Sequence, residues 1–171
     1  QNYKISPQNF GKELTARQLA DCYKRLEQQS VHNINLVNPT HFLNAVIESL
    51  NIYRPAVPVV YNCGGYESVE SLKKLEGYID IYLPDFKYAD NAVAEKYSEK
   101  TSLAAIAEML RQQPQNIYDN NGIMEKGVIV RHLILPSNTK NSIAALNSLH
   151  NHFGSRLTVS LMAQYIPCGI A

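Results

Sequence analysis

Charged side chains stand where two apolar runs of the sequence end or are interrupted. Asp85 and Lys87 follow the run over residues 79–84, and Arg131 lies inside the run over residues 127–135. A guanidinium within an apolar run needs a carboxylate, carbonyl or phosphate partner, because an unpaired buried charge is costly. We therefore predict that Asp85, Lys87 and Arg131 form a candidate catalytic set that meets an anionic group. An ion pair between Arg131 and Asp85, and a solvated Lys87, are the structural alternatives.

Polar residues and glycines follow three other apolar runs, and they are candidate binding residues. Asn62 brings an amide to the end of the run over residues 57–61, and Gly64 and Gly65 permit a tight turn and a close approach of backbone to a ligand. Ser68 is then the predicted N-cap of a new helix. Chain reversal alone is the alternative for the glycine turn, and helix capping is the alternative for Thr40. The full candidate binding set is Asn38, Thr40, His41, Asn62, Gly64 and Gln164.

The elements that position these residues follow from hydrophobic periodicity. Apolar runs with β-branched residues predict five strands, and helical spacing of apolar residues predicts a helix before each of them. The first helix begins after an N-cap at Thr15, and the last one is expected to turn Ile143, Leu146, Leu149 and Phe153 inward. Residues 115–122 are polar and predict a loop. The predicted strands cover residues 33–38, 57–63, 79–84, 127–135 and 157–165.

Alternating helices and strands predict an α/β fold with parallel strands joined by helical crossovers. We expect an open, twisted sheet of about five parallel strands with helices on its outer face, forming one domain over residues 1–171. The candidate residues then meet at the carboxyl ends of the strands. Because His132 alternates with Arg131 along its strand, His132 is expected to pack against the helices.

Composition narrows the classes of function. The formal net charge of +1 gives no electrostatic reason to expect nucleic acid or an anionic membrane as a partner. No apolar run approaches the roughly 20 residues that cross a bilayer, and no secretory signal opens the chain. Cys22, Cys63 and Cys168 are too far apart for a disulfide framework or a Cys-x-x-Cys metal site. A cytoplasmic protein is expected, and the absence of an initiator Met suggests a fragment or a processed chain.

Five segments in order along the chain resemble radical S-adenosylmethionine proteins, and in particular the group related to pyruvate formate-lyase activating enzyme. The resemblance covers nearly the whole chain, from residue 1 to about residue 167. The segments are Asn-Leu-Val-Asn-Pro-Thr-His, Val-Tyr-Asn-Cys-Gly-Gly-Tyr-Glu-Ser, Tyr-Leu-Pro-Asp-Phe-Lys-Tyr, Val-Arg-His-Leu-Ile-Leu-Pro and Leu-Met-Ala-Gln-Tyr.

The resemblance implies a partial (β/α) barrel that binds S-adenosylmethionine at a [4Fe–4S] cluster held by three thiolates. Reductive cleavage of the ligand in that family gives a 5′-deoxyadenosyl radical. A glycyl radical enzyme is the implied protein substrate, and flavodoxin or ferredoxin is the implied electron donor. The family's Cys-x-x-x-Cys-x-x-Cys loop and first strand are expected ahead of Gln1, and the three cysteines present have the wrong spacing. We therefore assign no metal ligand and expect this chain alone to be inactive.

The resemblance also implies roles for single residues. The segment from Asn38 to His41 takes the place of a Gly-Gly-Glu-type motif, where Thr40 would accept a hydrogen bond from the ammonium group of the ligand. Asn62 and Gly64 would approach its ribose or carboxylate. Lys87 or Arg131 would meet a carboxylate, and Gln164 with Tyr165 would face adenine or substrate.

Two alternatives from other classes of function stay open. The first is a non-redox (β/α) domain that binds an anionic metabolite, including a lyase or aldolase in which Lys87 forms a Schiff base. The second is a non-catalytic scaffold. If the first strand lies upstream of Gln1, the strand over residues 33–38 becomes a sheet edge, and exposed edges recruit other strands. We expect self-association through this edge, or its coverage by residues 1–10.

Overall fold

The structure, a computed structural model, describes residues 11–87 and 93–164, with backbone only for residues 93–98. Over these residues five helices and six strands follow one another, with β4 and β5 in succession, and two short 3-10 helices lie between them. The helices are α1 (Ala16–Glu27), α2 (Leu43–Ile52), α3 (Val69–Lys74), α4 (Val93–Gln112) and α5 (Thr139–Phe153). The strands are β1 (Ile34–Val37), β2 (Val59–Cys63), β3 (Ile81–Pro84), β4 (Ile117–Tyr118), β5 (Met124–Leu133) and β6 (Thr158–Met162).

The sheet is mostly parallel, as the alternation of helices and strands predicts. Strands β1, β2, β3 and β5 are hydrogen-bonded in that order, and β6 pairs with β5. All of these pairings are parallel, and they involve the five predicted strands. Helical crossovers are the usual way to join parallel neighbours. The prediction of an α/β fold with a parallel sheet is therefore confirmed.

The prediction of a loop over residues 115–122 is wrong in part, because Ile117 and Tyr118 form the antiparallel strand β4. Asp119 builds the hairpin that follows, since its Oδ1 accepts hydrogen bonds from the backbone N–H groups of Asn121 and Ile123, both at 2.8 Å. Polar side chains that form hydrogen bonds with the backbone of a turn also make the sequence of that segment typical of a loop. The strand is only two residues long and half exposed, so no apolar periodicity revealed it.

The two faces of the sheet have different surroundings. The core joins residues from all five helices to one set of alternating strand residues, among them Val59, Tyr61, Tyr82 and Val130. Successive side chains of a strand point to opposite faces. Asn62, Asp85 and Arg131 therefore lie on the face turned away from this core, which we call the open face. The helices pack on one side of the sheet, as the sequence predicts.

Local signals set the ends of the helices. Thr15 caps α1 in a reciprocal pair with Gln18, and Ser68 caps α3, as predicted. The predicted inner face of α5 is wrong in one residue, because Ile143 is 54% exposed. The buried residues follow the four-residue spacing of one helix face, and Ile143 lies about half a turn away from it. They include Asn141, Ala145, Leu149 and Phe153.

Strand β1 forms the edge of the described sheet, as predicted. Val37 is 57% exposed, whereas Ile34 is 3% exposed and belongs to the hydrophobic core. A groove of about 740 Å³ borders this edge and is lined by residues 11–14 together with Leu36 and Phe42. Residues 1–10 lie outside the described part of the chain, so their predicted place over β1 stays a prediction. Within the described residues, no helix combines the length and apolarity needed to cross a bilayer.

Candidate functional site

The three charged candidates meet at the carboxyl ends of β3 and β5. Arg131 Nη2 lies 2.6 Å from Asp85 Oδ1, and Lys87 Nζ lies 3.6 Å from Asp85 Oδ2. A backbone bridge joins Asp85 and Arg131, three residues beyond the last paired positions of β3 and β5, Tyr82 and Val128. The predicted charged set therefore exists, and it includes the ion pair that was its structural alternative.

This charged set carries one more positive than negative charge, and two of its polar atoms lack a hydrogen-bond partner among the described residues. The side chains of Asp85 and Arg131 are 22% and 25% exposed. Arg131 Nε is buried and has no hydrogen-bond partner among the described residues, and the contact at Asp85 Oδ1 lacks hydrogen-bond geometry. A buried guanidinium N–H without an acceptor is unfavourable. The arrangement is therefore suited to an anionic group such as a carboxylate.

A glycine holds the loop after β2 against this set, and of the two glycines predicted for this turn it is Gly65, not Gly64 of the candidate binding set. Gly65 has a φ of +83°, and a Cβ there would lie 1.9 Å from the backbone oxygen of Asp85. A Cβ at Gly64 would meet only the ring of Tyr66, at 3.7 Å. The close approach that we expected between glycine backbone and a ligand is thus an approach to the backbone of Asp85.

Asn62 joins the first two strands to the charged set. It is 7% exposed, is in register with Leu83 of β3, and shares the open face with Asp85 and Arg131. Its backbone oxygen accepts a hydrogen bond from the N–H of Asn38 at 2.8 Å. Asn38 is left-handed, with φ 50° and ψ 50°, so the chain turns sharply at this point into the short helix that carries Thr40. Asn38 and Asn62 are therefore neighbours, as the predicted edge requires.

Thr40 lies in a second group of polar residues, which also contains Glu67, Tyr61 and Cys63. Thr40 Oγ1 donates to Glu67 Oε1 at 2.9 Å, and Tyr61 Oη lies 3.5 Å from Thr40 Oγ1. Tyr61 and Cys63 alternate with Asn62 and belong to the helix side of the sheet. The candidate site is thus divided, with the charged set on the open face and Thr40 on the helix side.

Glu67 was missed by sequence reasoning. It is 4% exposed, and its Oε2 has no hydrogen-bond partner of regular geometry among the described residues. Its position after the glycine turn was visible in the sequence. Its burial was not, because it depends on Thr40 from a different loop.

Burial keeps the titratable neighbours of Glu67 protonated. Burial raises the pKa of Tyr61 to about 12, with a smaller opposing effect from the hydrogen bond to Thr40 and a further rise from the Glu67 carboxylate. Burial, and then the nearby Glu67 carboxylate, also raise the pKa of the Cys63 thiol well above its ordinary value. A thiolate is the form that binds metals and attacks electrophiles. Cys63 is therefore a core residue in this structure.

The remaining candidates lie apart from the charged set or outside the description. His41 and Gln164 are exposed. His132 is fully buried and contacts the helix side, as predicted. No group of three or more His, Cys, Asp or Glu side chains in the described residues is arranged to hold a metal ion. Tyr165 and Cys168 lie outside the described residues.

Comparison with known proteins gives one relative. The chain is 27% identical over 176 aligned residues to a protein of Methanocaldococcus jannaschii that bears the name "Uncharacterized protein MJ0674". The alignment covers 98% of this chain and 49% of the relative, so the chain spans about half the length of the curated relative it matches. No protein-family model matches the chain. No solved structure matches it either.

Proposed function

We propose that this chain is the ligand-binding core of a radical S-adenosylmethionine protein of the group related to pyruvate formate-lyase activating enzyme. Its parallel sheet would then be part of the family's (β/α) barrel, and its open face would be the inner wall. Partners that belong to this proposal are a glycyl radical enzyme as substrate and flavodoxin or ferredoxin as electron donor. A cytoplasmic location is part of it as well.

One observation carries the proposal: four of the family-like segments end at the same edge of one parallel sheet. Asn38 contacts Asn62, Gly65 packs on Asp85, and Asp85 pairs with Arg131, although these residues are up to 93 positions apart in the chain (131 − 38). Ligands of parallel α/β proteins bind at the carboxyl ends of the strands. This convergence supports a ligand site, and the family resemblance supports its identity.

The residues present fit the ligand better than they fit the cluster. A [4Fe–4S] cluster needs thiolate ligands, and the described cysteines are the half-buried Cys22 and the buried Cys63, on different elements. The described residues therefore supply no cluster site, and we derive no step through a cluster. S-adenosylmethionine carries an amino-acid group whose carboxylate matches the excess positive charge beside Asp85.

In this proposal each residue of the charged set has a physical task. Arg131, whose side chain is 25% exposed, donates to the carboxylate of the ligand, and Lys87 adds a second positive charge at the rim. Asp85 keeps both cations in place by pairing with each of them. Asn62 lies on the same face and offers an amide to the ribose. When bound, S-adenosylmethionine supplies the radical chemistry, and these residues orient it and exclude water.

Calorimetric titration of the 171-residue chain tests this assignment of Arg131. The titrants are S-adenosylmethionine and 5′-methylthioadenosine, which lacks the amino-acid group. We expect the wild-type chain to prefer S-adenosylmethionine. Hydrogen bonds to charged groups contribute about 1.5–3 kcal/mol, so Arg131→Gln should reduce that preference roughly 10- to 150-fold. Arg131→Lys is the matched control, since it keeps the charge without the planar fork. Equal affinity for both ligands in the wild-type chain would contradict the proposal.

A non-redox domain that binds an anionic metabolite is the second candidate, because the same excess positive charge favours it. Its aldolase form is less well supported. A Schiff-base lysine is activated by a desolvated pocket or a neighbouring cation, whereas Lys87 is 46% exposed and faces the Asp85 carboxylate. Borohydride trapping with carbonyl metabolites, read by peptide mass spectrometry at Lys87, decides this point. A trapped adduct that is absent in Lys87→Arg would favour the aldolase.

A further inference from the structure

His132 is buried next to the charged set but faces the other side of the strand. Its Nδ1 lies 2.6 Å from the backbone oxygen of Phe86, and its Nε2 lies 3.0 Å from Ser142 Oγ at the start of α5. A carbonyl oxygen only accepts hydrogen bonds, so Nδ1 carries the proton. The ring therefore joins the end of β3 to the first turn of α5.

This contact comes at the point where the backbone pairing of β3 and β5 ends. The N–H of Phe86 donates to the backbone oxygen of Arg131 at 2.8 Å, one step beyond the bridge between Asp85 and Arg131. The next carbonyl along the chain, that of Phe86, is bound by the His132 side chain. Phe86 itself is 1% exposed and anchored in the core. Both backbone polar groups of Phe86 are thus held by consecutive residues of β5.

The residue after Phe86 is held from α5 as well. Asn141 Nδ2 donates to the backbone oxygen of Lys87 at 3.3 Å, and the side chains of Asn141 and Ser142 are nearly buried. The backbone from Asp85 to Lys87 is therefore fixed from the helix side. On the open face, the Asp85 side chain contacts both Arg131 and Lys87.

We propose that His132 is a positioning residue for the charged set. By donating from Nδ1 to the Phe86 carbonyl, it keeps Asp85 where it pairs with both Arg131 and Lys87. Asn141 does the same for the carbonyl of Lys87. The consequence for ligand binding rests on the proposed function, whereas the consequence for the ion pair does not.

A double-mutant cycle on the ion pair tests this without any ligand. Asp85→Asn and Arg131→Gln, alone and together, give the coupling of the pair from urea unfolding. Neighbouring side chains couple by about twofold to 150-fold in the unfolding constant. We expect a coupling of about fivefold or more in the wild-type background and in His132→Asn, whose amide nitrogen takes the place of Nδ1. In His132→Leu the coupling should fall to within about twofold of none.

Ser142→Ala is the matched control, because it removes the Nε2 contact and leaves the Nδ1 contact in place. It should lower stability with the coupling retained. If His132→Leu does not fold, Asn141→Ala takes over the test, with the coupling of Lys87 to Asp85 as its readout. Coupling that survives in His132→Leu, or in Asn141→Ala where that variant carries the test, would overturn the proposal. So would coupling that is lost in His132→Asn as fully as in His132→Leu.

Titration of the same variants with S-adenosylmethionine and 5′-methylthioadenosine tests the consequence for ligand binding. His132→Leu should reduce the preference for S-adenosylmethionine, and His132→Asn should keep it. A wild-type chain without that preference removes the proposed function and leaves the double-mutant cycle as the test of His132. The two failures are therefore distinguishable.

Discussion

Gly65 offers a direct test of how the loop after β2 supports the charged set. Substitution by alanine introduces two separate costs. The first is the left-handed backbone, since φ is +83°, and this costs an L-residue about 1–2 kcal/mol. The second is steric, since the new Cβ would lie 1.9 Å from the backbone oxygen of Asp85. Backbone atoms have to move, and overpacking of this kind costs about 1–3 kcal/mol.

Gly77 separates the two costs. It has the same φ of +83°, but a Cβ there would meet nothing within 4 Å. Gly77→Ala therefore carries only the conformational cost, reduced by about 0.4–1 kcal/mol because alanine also restricts the unfolded chain. The difference between the two variants is the steric contribution at Asp85, which we expect to be about 1–3 kcal/mol.

Thermal and urea unfolding of the two variants measure this difference. For a chain of this length, each kcal/mol corresponds to about 2–4 °C in Tm. Gly65→Ala should therefore unfold roughly 2–12 °C below Gly77→Ala. Because the clash displaces Asp85, Gly65→Ala should also weaken the coupling between Asp85 and Arg131, while Gly77→Ala should not. Equal losses of stability in the two variants would refute the close approach on which the arrangement of the site depends.

Three further predictions concern the core, a helix end and a thiol. Leu149→Ala should lower the free energy of unfolding by about 2–5 kcal/mol, because it leaves a cavity in the core. Ile143→Ala on the same helix should change it by no more than about 0.5 kcal/mol, since Ile143 is exposed. Urea unfolding measures both values, and similar losses would contradict the corrected inner face of α5. Hydrogen bonds from the Tyr53 hydroxyl and the Ala56 N–H lower the pKa of Glu27 in the folded protein. Glu27 therefore stabilises the fold at a pH above its unfolded pKa, and this contribution is lost as the pH falls through its folded pKa. The stability difference between wild type and Glu27→Gln should accordingly shrink between pH 7 and pH 3, and a constant difference would count against these bonds. Cys63 is buried with a raised pKa and Cys22 is half-buried, so iodoacetamide should label Cys22 first in the native chain, as peptide mass spectrometry can determine; equal rates would show that Cys63 is accessible.

The sequence could predict the sheet because its signals are local. Five apolar runs, the caps at Thr15 and Ser68, and the alternation of helices with strands all depend on neighbouring residues. The rule that a guanidinium in an apolar strand needs a partner offered the pairing of Arg131 with Asp85 only as the structural alternative, and that pair is present.

The parts that could not be predicted depend on contacts between distant segments. Gly65 rather than Gly64 is the constrained glycine because the backbone of Asp85 passes beside it, and no local pattern distinguishes the two. Glu67 is buried because Thr40 reaches it from another loop. Thr40 lies on the helix side and not with the charged set, because its neighbour Tyr61 alternates with Asn62.

A two-dimensional ¹H–¹⁵N NMR titration tests the central claim that a ligand binds at the carboxyl edge of the open face. The 171-residue chain is titrated with S-adenosylmethionine. If the ligand binds there, we expect chemical-shift changes at Asn62, Asp85 and Arg131. We expect none at Ile34, Val59 and Gly127, which lie toward the opposite ends of their strands. Changes confined to those opposite ends, or an unchanged spectrum at saturating ligand, would contradict it.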